Sequence, residues 1–346
     1  MLFRSVKRFF DFDRLECLSG EAQFGPGGKL QGLTAHAVLS GVRAYGVNFD
    51  AGRATVTFDG QRFLVPEVYG RVGPNFARGS YEHKLGSHRY RFLLTGELRP
   101  LDISPWFGPW WGNFFRDYDF AAAAPAADVD LQGQWRQGHR TNLFISAAVD
   151  RPIVRGGAFD HVRTRLFIRP HFFDGLELFA THESGAARGT FLLENDPATR
   201  SWKSLDLDAE ATMPLDLVRR VIGPVGENVL SPFAAAEPPE AKVTLHFDGP
   251  AAPGGRHVNG LVVARTSGEA DFLGHPVSDA ALAVRSRGGQ GLYDGVTIEG
   301  IPTVSAYAAS AHRDARSCGR GAREPIERQL RGGCALGTRR RRRGRR

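Results

Sequence analysis

Apolar and polar residues alternate with a period of two along most of the chain. The clearest runs are 54–58, 90–94, 143–149, 205–209 and 243–247, in which every second residue is apolar. Such alternation, bounded by Gly, Pro or Asp-Gly, is typical of antiparallel strands that bury one face and expose the other. The pattern predicts an all-β, mainly antiparallel fold, in which a meander sheet accounts for most of the chain.

Three Asp-Gly dipeptides indicate where this meander turns. Asp59-Gly60, Asp174-Gly175 and Asp294-Gly295 each stand between alternating runs. Asp-Gly is a favoured central pair of tight two-residue hairpins. We therefore expect a hairpin at each of the three positions.

Two stretches predict short helical inserts. The first, near 102–115, places aromatic residues at helical spacing but contains Pro105 and Pro109, which divide it into short pieces. The second, near 214–231, carries apolar residues on one helical face until Gly223-Pro224 ends it. The two inserts occupy equivalent places in an internal repeat.

The repeat has a period of about 110–115 residues, estimated from recurring strings. Phe49-Asp50 returns as Phe159-Asp160, and Ala77-Arg78-Gly79 as Ala187-Arg188-Gly189. The string PLDI at 100–103 returns as PLDL at 214–217. Because these matches keep their order at nearly constant offsets, we interpret them as a duplication.

The repeat divides the chain into five parts. We predict a partial first β unit over 1–48, a first repeat unit over 49–158, and a second repeat unit over 159–271. A truncated third unit follows over 272–308, and an Arg-rich tail occupies 309–346. The tail is interpreted either as a disordered basic extension or as an out-of-frame end.

Charge is concentrated in that tail. Residues 310–346 contain 13 Arg and three acids, a net charge of +10, so the remaining residues of the +8 chain carry −2. A near-neutral body makes a folded nucleic-acid-binding face unlikely, and leaves only the tail as a candidate for binding nucleic acid. No run of 18 apolar residues occurs, and the first residues lack the apolar core of a secretory signal.

Residues 156–194, with their strand, strand, Gly-containing turn and strand, followed by LDLDAEATMPLDLVRRVIGPVGENVLSPF, resemble the AsmA-like family, including its TamB-like members. The resemblance covers about residues 20–305. It implies a periplasmic envelope protein, normally anchored in the inner membrane through an N-terminal segment that this chain lacks. It also implies an elongated sheet that curls into an open apolar groove, and a role in phospholipid transport or outer-membrane biogenesis, with other envelope proteins as partners.

The physics of a single-layer sheet leads to the same hypothesis. A sheet with one apolar face must cover that face, and two short helical inserts are too few to do so. The sheet can curl and hold acyl chains, or it can close into a β-sandwich or barrel with a dry core. The leading hypothesis is a protein that shields or conducts phospholipid acyl chains. The alternative is a β-sandwich module that binds carbohydrate or another ligand.

The first helical insert supplies the candidate contact residues. They are aromatic and contain three of the five Trp of the chain: Trp106, Phe107, Trp110, Trp111, Phe114 and Phe115. They are interpreted either as a contact to lipid or a membrane surface, or as a plug that packs over one end of the sheet.

No pattern for catalysis or metal binding is found. The sequence lacks GxSxG, HExxH, GxxxxGK[ST] and GxGxxG, and its three Cys support neither a disulfide framework nor a zinc site. Paired acids at Asp128/Asp130 and Asp206/Asp208 are better explained as a solvated strand face than as a glycosidase pair. We therefore expect a protein that is not an enzyme and needs no cofactor.

Overall fold

The computed structural model describes residues 10–299 except 107–108, 200, 224–229, 232, 253–257, 273 and 288–289. All of them belong to one of the chain's two structural units, Met1–Pro302. Phe107 and the Arg-rich tail at 309–346 lie outside the described residues.

Six long strands open the chain. They are β1 (Phe10–Phe24), β2 (Leu30–Ala44), β3 (Val47–Phe58), β4 (Arg62–Val72), β5 (Asn75–Lys84) and β6 (Arg89–Glu97). The first insert then contains a 3₁₀ turn at Ser104–Trp106, the helix α1 (Pro109–Phe115) and the short strand β7 (Tyr118–Asp119). The helical insert expected near 102–115 is thus present, and its helix begins at Pro109.

Nine further strands follow, eight of them before the second helix and one after it. They are β8 (Ala126–Gln134), β9 (Asn142–Asp150), β10 (Ile153–Val154), β11 (Gly157–Ala158), β12 (His161–Arg169), β13 (Phe172–His182), β14 (Gly185–Asn195), β15 (Trp202–Thr212) and, after the helix α2 (Leu215–Ile222), β16 (Phe233–Ala235). The chain continues with β17 (Glu240–Asp248), β18 (Val258–Arg265), β19 (Glu269–Phe272), β20 (His275–Arg287) and β21 (Gln290–Glu299).

The long strands pair in chain order, each antiparallel to the next. The order is β1-β2-β3-β4-β5-β6-β8-β9-β12-β13-β14-β15-β17-β18-β20-β21. Within the described residues β1 pairs only with β2 and β21 only with β20, so the sheet does not close on itself. The expected antiparallel meander with short helical inserts is confirmed.

The same β-bulge occurs twice, 110 residues apart. The pairing of β4 with β5 shifts between Val65 and Val68, and that of β13 with β14 shifts between Gly175 and Leu178. A bulge adds a residue to one strand and increases the local twist. The segments β3–β9 and β12–β18 also share one order of elements: four long strands, an insert and two long strands. The unit boundaries given above stay predictions.

Two of the three Asp-Gly hairpins were predicted wrongly. Asp59-Gly60 does lie between β3 and β4, but Asp174-Gly175 lies inside β13 and Asp294-Gly295 inside β21. The chain turns at 170–171 instead. At Gly175, inside β13, the ring of Phe191 occupies the space that a side chain would need. A Cβ at this position would lie 2.2 Å from Cε1 of that ring.

The inserts all lie at one end of the strands. Segments 98–125, 151–160 and 213–239 leave and re-enter the sheet next to the pairs Glu97–Ala126, Asp150–His161 and Thr212–Glu240. We call this end the insert rim. The opposite end, where short turns at 59–61, 85–88, 135–141, 170–171 and 196–201 join the strands, is the turn rim.

Side chains on the insert rim join the inserts to one another. Leu217 of α2 is buried, and it lies where a Cβ on Gly157 of β11 would come within 2.6 Å of its Cδ1. The Arg155 guanidinium donates to the carbonyl oxygens of Val221 (3.1 Å) and Ile222 (3.2 Å) at the end of α2. It also pairs with Asp117 at 3.4 Å, so it connects α2 to the first insert.

Candidate functional site

The inner face of the sheet is defined by residues that pair directly across neighbouring strands, because paired residues of antiparallel strands point to the same side. One row crosses fourteen strands from β1 to β18, and we call it the central lane. Its members are Leu18, Ala37, Ala54, Val68, Gly79, Leu94, Val129, Ile145, Leu166, Gly175, Phe191, Leu207, Leu245 and Gly260. Every member is apolar or glycine.

Two parallel rows flank the central lane. The insert-side lane is rich in small residues: Leu15, Leu39, Gly52, Gly70, Ala77, Gly96, Ala127, Ala147, Thr164, Leu178, Gly189, Ala209, Val243 and Val262. The turn-side lane is bulky: Val65, Tyr81, Phe92, Leu131, Leu143, Ile168, Phe173, Leu193, Leu205, Phe247 and Val258. The three lanes contain no charged residue. At about 4.8 Å per strand the central and insert-side lanes run for about 60 Å, and the turn-side lane, which begins at β4, runs for about 50 Å.

The outward face carries the charges. Arg91 on β6 contacts Asp130 on β8 through two hydrogen bonds of 2.7 and 3.0 Å. Glu210 on β15 accepts from Arg188 at 2.6 Å and pairs with Lys242 at 3.1 Å, and these two bases hold its pKa below the usual range. The sequence interpretation of Asp128/Asp130 and Asp206/Asp208 as a polar strand face agrees with these outward positions.

A histidine on the outward face is held between two acids. His246 Nδ1 lies 2.5 Å from Asp206 Oδ1, and its Nε2 lies 3.3 Å from Asp248 Oδ1. The hydrogen bond that His246 donates to Asp206 raises the pKa of His246, against a smaller opposing effect of burial. The two carboxylates thus stabilise the charged form of this imidazole.

The inner face is shielded only in part. Of the described apolar side chains seven are buried, and in the three lanes these are only Val65 and Ile145. Gly175 is also buried, the other lane residues from β2 to β18 are half-buried, and those on β1 are exposed. A face covered by a second packed layer would instead be largely buried. The described residues thus form an apolar face without a complete protein cover.

Thr164 is the polar exception in the insert-side lane. Its Oγ1 is buried and finds no hydrogen-bond partner among the described residues. The neighbours paired with Thr164 are Ala147 and Leu178, which have no side-chain donor or acceptor. Burying a hydroxyl without a partner costs free energy, so Thr164 is an energetically unfavourable residue within this lane.

A second aromatic cluster, which the sequence interpretation missed, lies where the inner face meets the turn rim. Tyr81 stacks on Phe92 with ring centroids 4.3 Å apart, and Tyr90 packs on Trp135 at 4.5 Å. Trp135 Nε1 donates to the Tyr81 hydroxyl at 3.3 Å. His83 packs against Trp135 at 6.3 Å, and burial, with a smaller contribution from His88, lowers its pKa. Trp135 is far from the other residues in sequence, although the alternation of β5 and β6 does place four of them on one face: Tyr81, His83, Tyr90 and Phe92.

The six predicted contact residues do not form one exposed patch. Trp111 is buried, with Nε1 donating to the Pro100 carbonyl at 2.7 Å, whereas Phe114 is 48 % exposed and contacts Phe115 and Tyr118. Trp106 packs on Phe49 at 5.8 Å, and its Nε1 donates to Ala44 at the β2–β3 turn. Trp110 belongs to α1, and Phe107 lies outside the described residues. The cluster thus combines packing and exposed residues.

A cleft lined by both charged and apolar residues lies beside this cluster on the insert rim. It has a volume of about 630 Å³, and its lining includes Arg116, Asp117, Asp119, Ile153, Arg155 and Arg220. Among the described residues no group of three or more His, Cys, Asp or Glu side chains is arranged to hold a metal ion. The described helices are also too short and too polar for any of them to cross a bilayer.

Comparison with known proteins gave no match among protein-family models, curated proteins or solved structures.

Proposed function

We propose that this protein is a lipid-handling protein that shields phospholipid acyl chains on the inner face of its sheet. The observation that carries the proposal is the set of three uncharged lanes that cross the sheet without a complete protein cover. An acyl chain is the ligand that such a surface fits best, because it is long, apolar and needs no hydrogen-bond partner.

The energetic scale is sufficient for this role. Each buried CH₂ contributes about 0.8 kcal/mol, so one acyl chain gains on the order of 10 kcal/mol before ordering costs are subtracted. The small residues of the insert-side lane leave room next to the central lane. The charged outward face keeps the opposite side of the sheet in water.

The insert rim supplies a place for the polar end of the lipid or for a membrane surface. Exposed apolar side chains there include Leu101, Phe114, Ile153 and Ile222. The neighbouring cleft presents Arg116 and Arg220, whose guanidinium groups suit phosphate oxygens. This arrangement supports a membrane-facing role for the rim.

The proposal includes the AsmA-like assignment and the cellular context that it implies. A periplasmic protein working with other envelope proteins in outer-membrane biogenesis would require passive transfer of lipid and no catalysis. The alternative, a carbohydrate-binding module, would require polar groups that converge on a concave aromatic surface. Among the lane residues only Thr164 and Tyr81 have polar side-chain groups. Further polar groups lie next to Tyr81 at the turn rim.

Lipid analysis of the full chain tests the proposal. The protein is purified without detergent, and bound lipid is quantified by native mass spectrometry and after solvent extraction. Near-stoichiometric phospholipid is expected in the wild type, with a several-fold loss in Leu207→Glu, which places a charge in the central lane. The matched control Asp208→Glu, on the outward face of the same strand, should retain the lipid. Lipid-free wild-type protein that also takes up none from vesicles would contradict the proposal.

A further inference from the structure

A second cleft, which we call the turn-rim cleft, lies on the outward face of the sheet and has a volume of about 470 Å³. One row of its lining consists of residues that pair directly across β5, β6, β8 and β9: Glu82, Arg91, Gln132 and Asn142. A second row, nearer the turns, consists of Lys84, Arg89 and Gln134. Both rows are one residue out of step with the turn-side lane, so their side chains point away from the apolar inner face.

Basic groups outnumber acidic groups in the turn-rim cleft. Its lining contains one acid and four bases: Glu82, and Lys84, Arg89, Arg91 and Arg140. Next to the lining, Asp130 pairs with Arg91 at 2.7 Å, and Arg62 pairs with Glu82 at 3.7 Å. The two turns that border the cleft, 85–88 and 135–141, contain no acid. The cleft is therefore positively charged, although residues 1–309 together carry a net charge of −2.

Two of these bases stand directly opposite each other. Lys84 on β5 pairs with Arg89 on β6, and like charges at directly paired positions destabilise a sheet. Within the described residues the one ion pair of either side chain is the contact of Lys84 Nζ with Glu82 Oε1, which is long at 3.9 Å. An anion bound between Lys84 and Arg89 would reduce their repulsion and would stabilise the fold as well.

Hydrogen bonds hold the other two guanidinium groups of the turn-rim cleft in place. Arg91 donates to Asp130 through Nε and Nη2, which leaves Nη1 for a further acceptor. Arg140 Nη1 donates to Gln134 Oε1 at 2.8 Å, and Gln134 Nε2 in turn donates to the Ser87 carbonyl at 2.9 Å. Both guanidinium groups are thus oriented before a ligand arrives, and such preorganisation lowers the entropy cost of binding.

From this arrangement we infer that the turn-rim cleft binds the phosphate group of a polar small molecule. A phosphate monoester has three acceptor oxygens and a charge of about −2, and guanidinium groups bind it through charge-assisted hydrogen bonds. The cleft is large enough for more than one ion, because clefts for small organic ligands begin at about 300 Å³. The side-chain amides of Gln132 and Asn142 suit hydroxyl groups on the rest of the ligand.

The phosphate group comes either from a soluble phosphorylated sugar or from a lipid head group, and both present the same chemistry to the cleft. The inference does not rest on the proposed function, because acyl chains would occupy the opposite face of the sheet.

Calorimetric titration of the full chain tests the inference, with glucose 6-phosphate as the probe and glucose as its uncharged control. The cleft variants are Arg89→Gln and Arg140→Gln. The matched control is Arg188→Gln, which removes an exposed arginine from the outward face of β14. Thermal unfolding of each variant is measured without ligand. Competition by phosphatidylcholine vesicles with and without phosphatidic acid distinguishes a lipid head group from a soluble ligand.

The expected result is that the wild type binds glucose 6-phosphate but not glucose. Each cleft variant should weaken binding by about three- to tenfold, between the values for exposed ion pairs and for hydrogen bonds to charged groups, and Arg188→Gln should bind like the wild type. Arg89→Gln should leave Tm unchanged or raise it, because the variant removes a like-charge pair. Displacement of the probe by vesicles that contain phosphatidic acid would identify a lipid head group as the source, and no displacement would identify a soluble ligand.

Two results would overturn the inference. If neither cleft variant changes binding of glucose 6-phosphate, the phosphate is held elsewhere, for example by the arginines of 310–346. If glucose binds as tightly as glucose 6-phosphate, the cleft does not recognise the phosphate group.

Discussion

The ring of Phe191 on β14 lies over the backbone of its directly paired partner, Gly175 on β13. A Cβ at Gly175 would stand 2.2 Å from Cε1 of that ring. The glycine therefore allows a bulky side chain to lie along the central lane without pushing the strands apart. At the equivalent place in the first repeat, Val65 pairs with Tyr81.

Substitution of this glycine should destabilise the fold. Gly175→Ala forces the Phe191 ring to move, and overpacking of this kind costs about 1–3 kcal/mol in the free energy of unfolding. Gly86→Ala is the control, since nothing lies within 4 Å of its Cβ, and it should change the free energy by less than about 0.5 kcal/mol. Denaturant titration measures both variants. Adding Phe191→Leu should reduce the penalty of Gly175→Ala, and an unchanged penalty would exclude the ring as its cause.

Trp111 and Phe114 distinguish the two interpretations of the first insert, packing over the sheet and contact with a membrane. Trp111→Ala removes a buried side chain and its hydrogen bond to Pro100, and should lower the free energy of unfolding by about 3–5 kcal/mol. Phe114→Ala should lower it by only about 1 kcal/mol, because half of this side chain is exposed. If the rim contacts membranes, Phe114→Ala should nevertheless weaken sedimentation with phospholipid vesicles. Unchanged vesicle binding would leave packing as the role of the cluster.

His246 and His83 should give opposite dependences of stability on pH. The raised pKa of His246 makes its contribution complete below about pH 6.5, and the contribution is lost as pH rises through the higher pKa of the folded state. The lowered pKa of His83 makes its contribution complete above about pH 6.5, and it is lost as pH falls through the lower folded-state pKa.

Unfolding free energies measured from pH 5 to pH 8.5 test both groups. His246→Gln should remove stability at the acidic end relative to the alkaline end, and His83→Gln should flatten the loss toward acid. The same change of slope in both variants would contradict the assignment of these two environments.

The sequence allowed the strands and both helical inserts to be predicted because their signals are local. Alternation over 205–209, for example, places Leu205, Leu207 and Ala209 on one face, and the structure has them on the inner face of β15. The Asp-Gly dipeptides show the limit of local signals. Gly175 leaves space for the ring of Phe191 on the neighbouring strand. The residues next to Gly175 in the sequence do not indicate this contact.

Register and lanes could not be predicted, because they depend on pairs between distant segments. Phe92 and Leu131 are neighbours only after the first insert is placed outside the sheet. The turn-rim cluster of Tyr81, Tyr90 and Trp135 was missed for the same reason. For the predicted aromatic cluster, helical spacing identified the insert but could not separate the buried Trp111 from the exposed Phe114.

Photocrosslinking from adjacent residues of two neighbouring strands, β15 and β17, tests the central claim most directly. A photoreactive benzoylphenylalanine is placed in the full chain at the inward Leu207 or Leu245, or at the outward Asp208 or Thr244, and each variant is irradiated with phospholipid vesicles. Lipid adducts at 207 and 245, with few at 208 and 244, are the result predicted for acyl chains on the inner face. Equal adducts at all four positions, or adducts on the outward face alone, would contradict it.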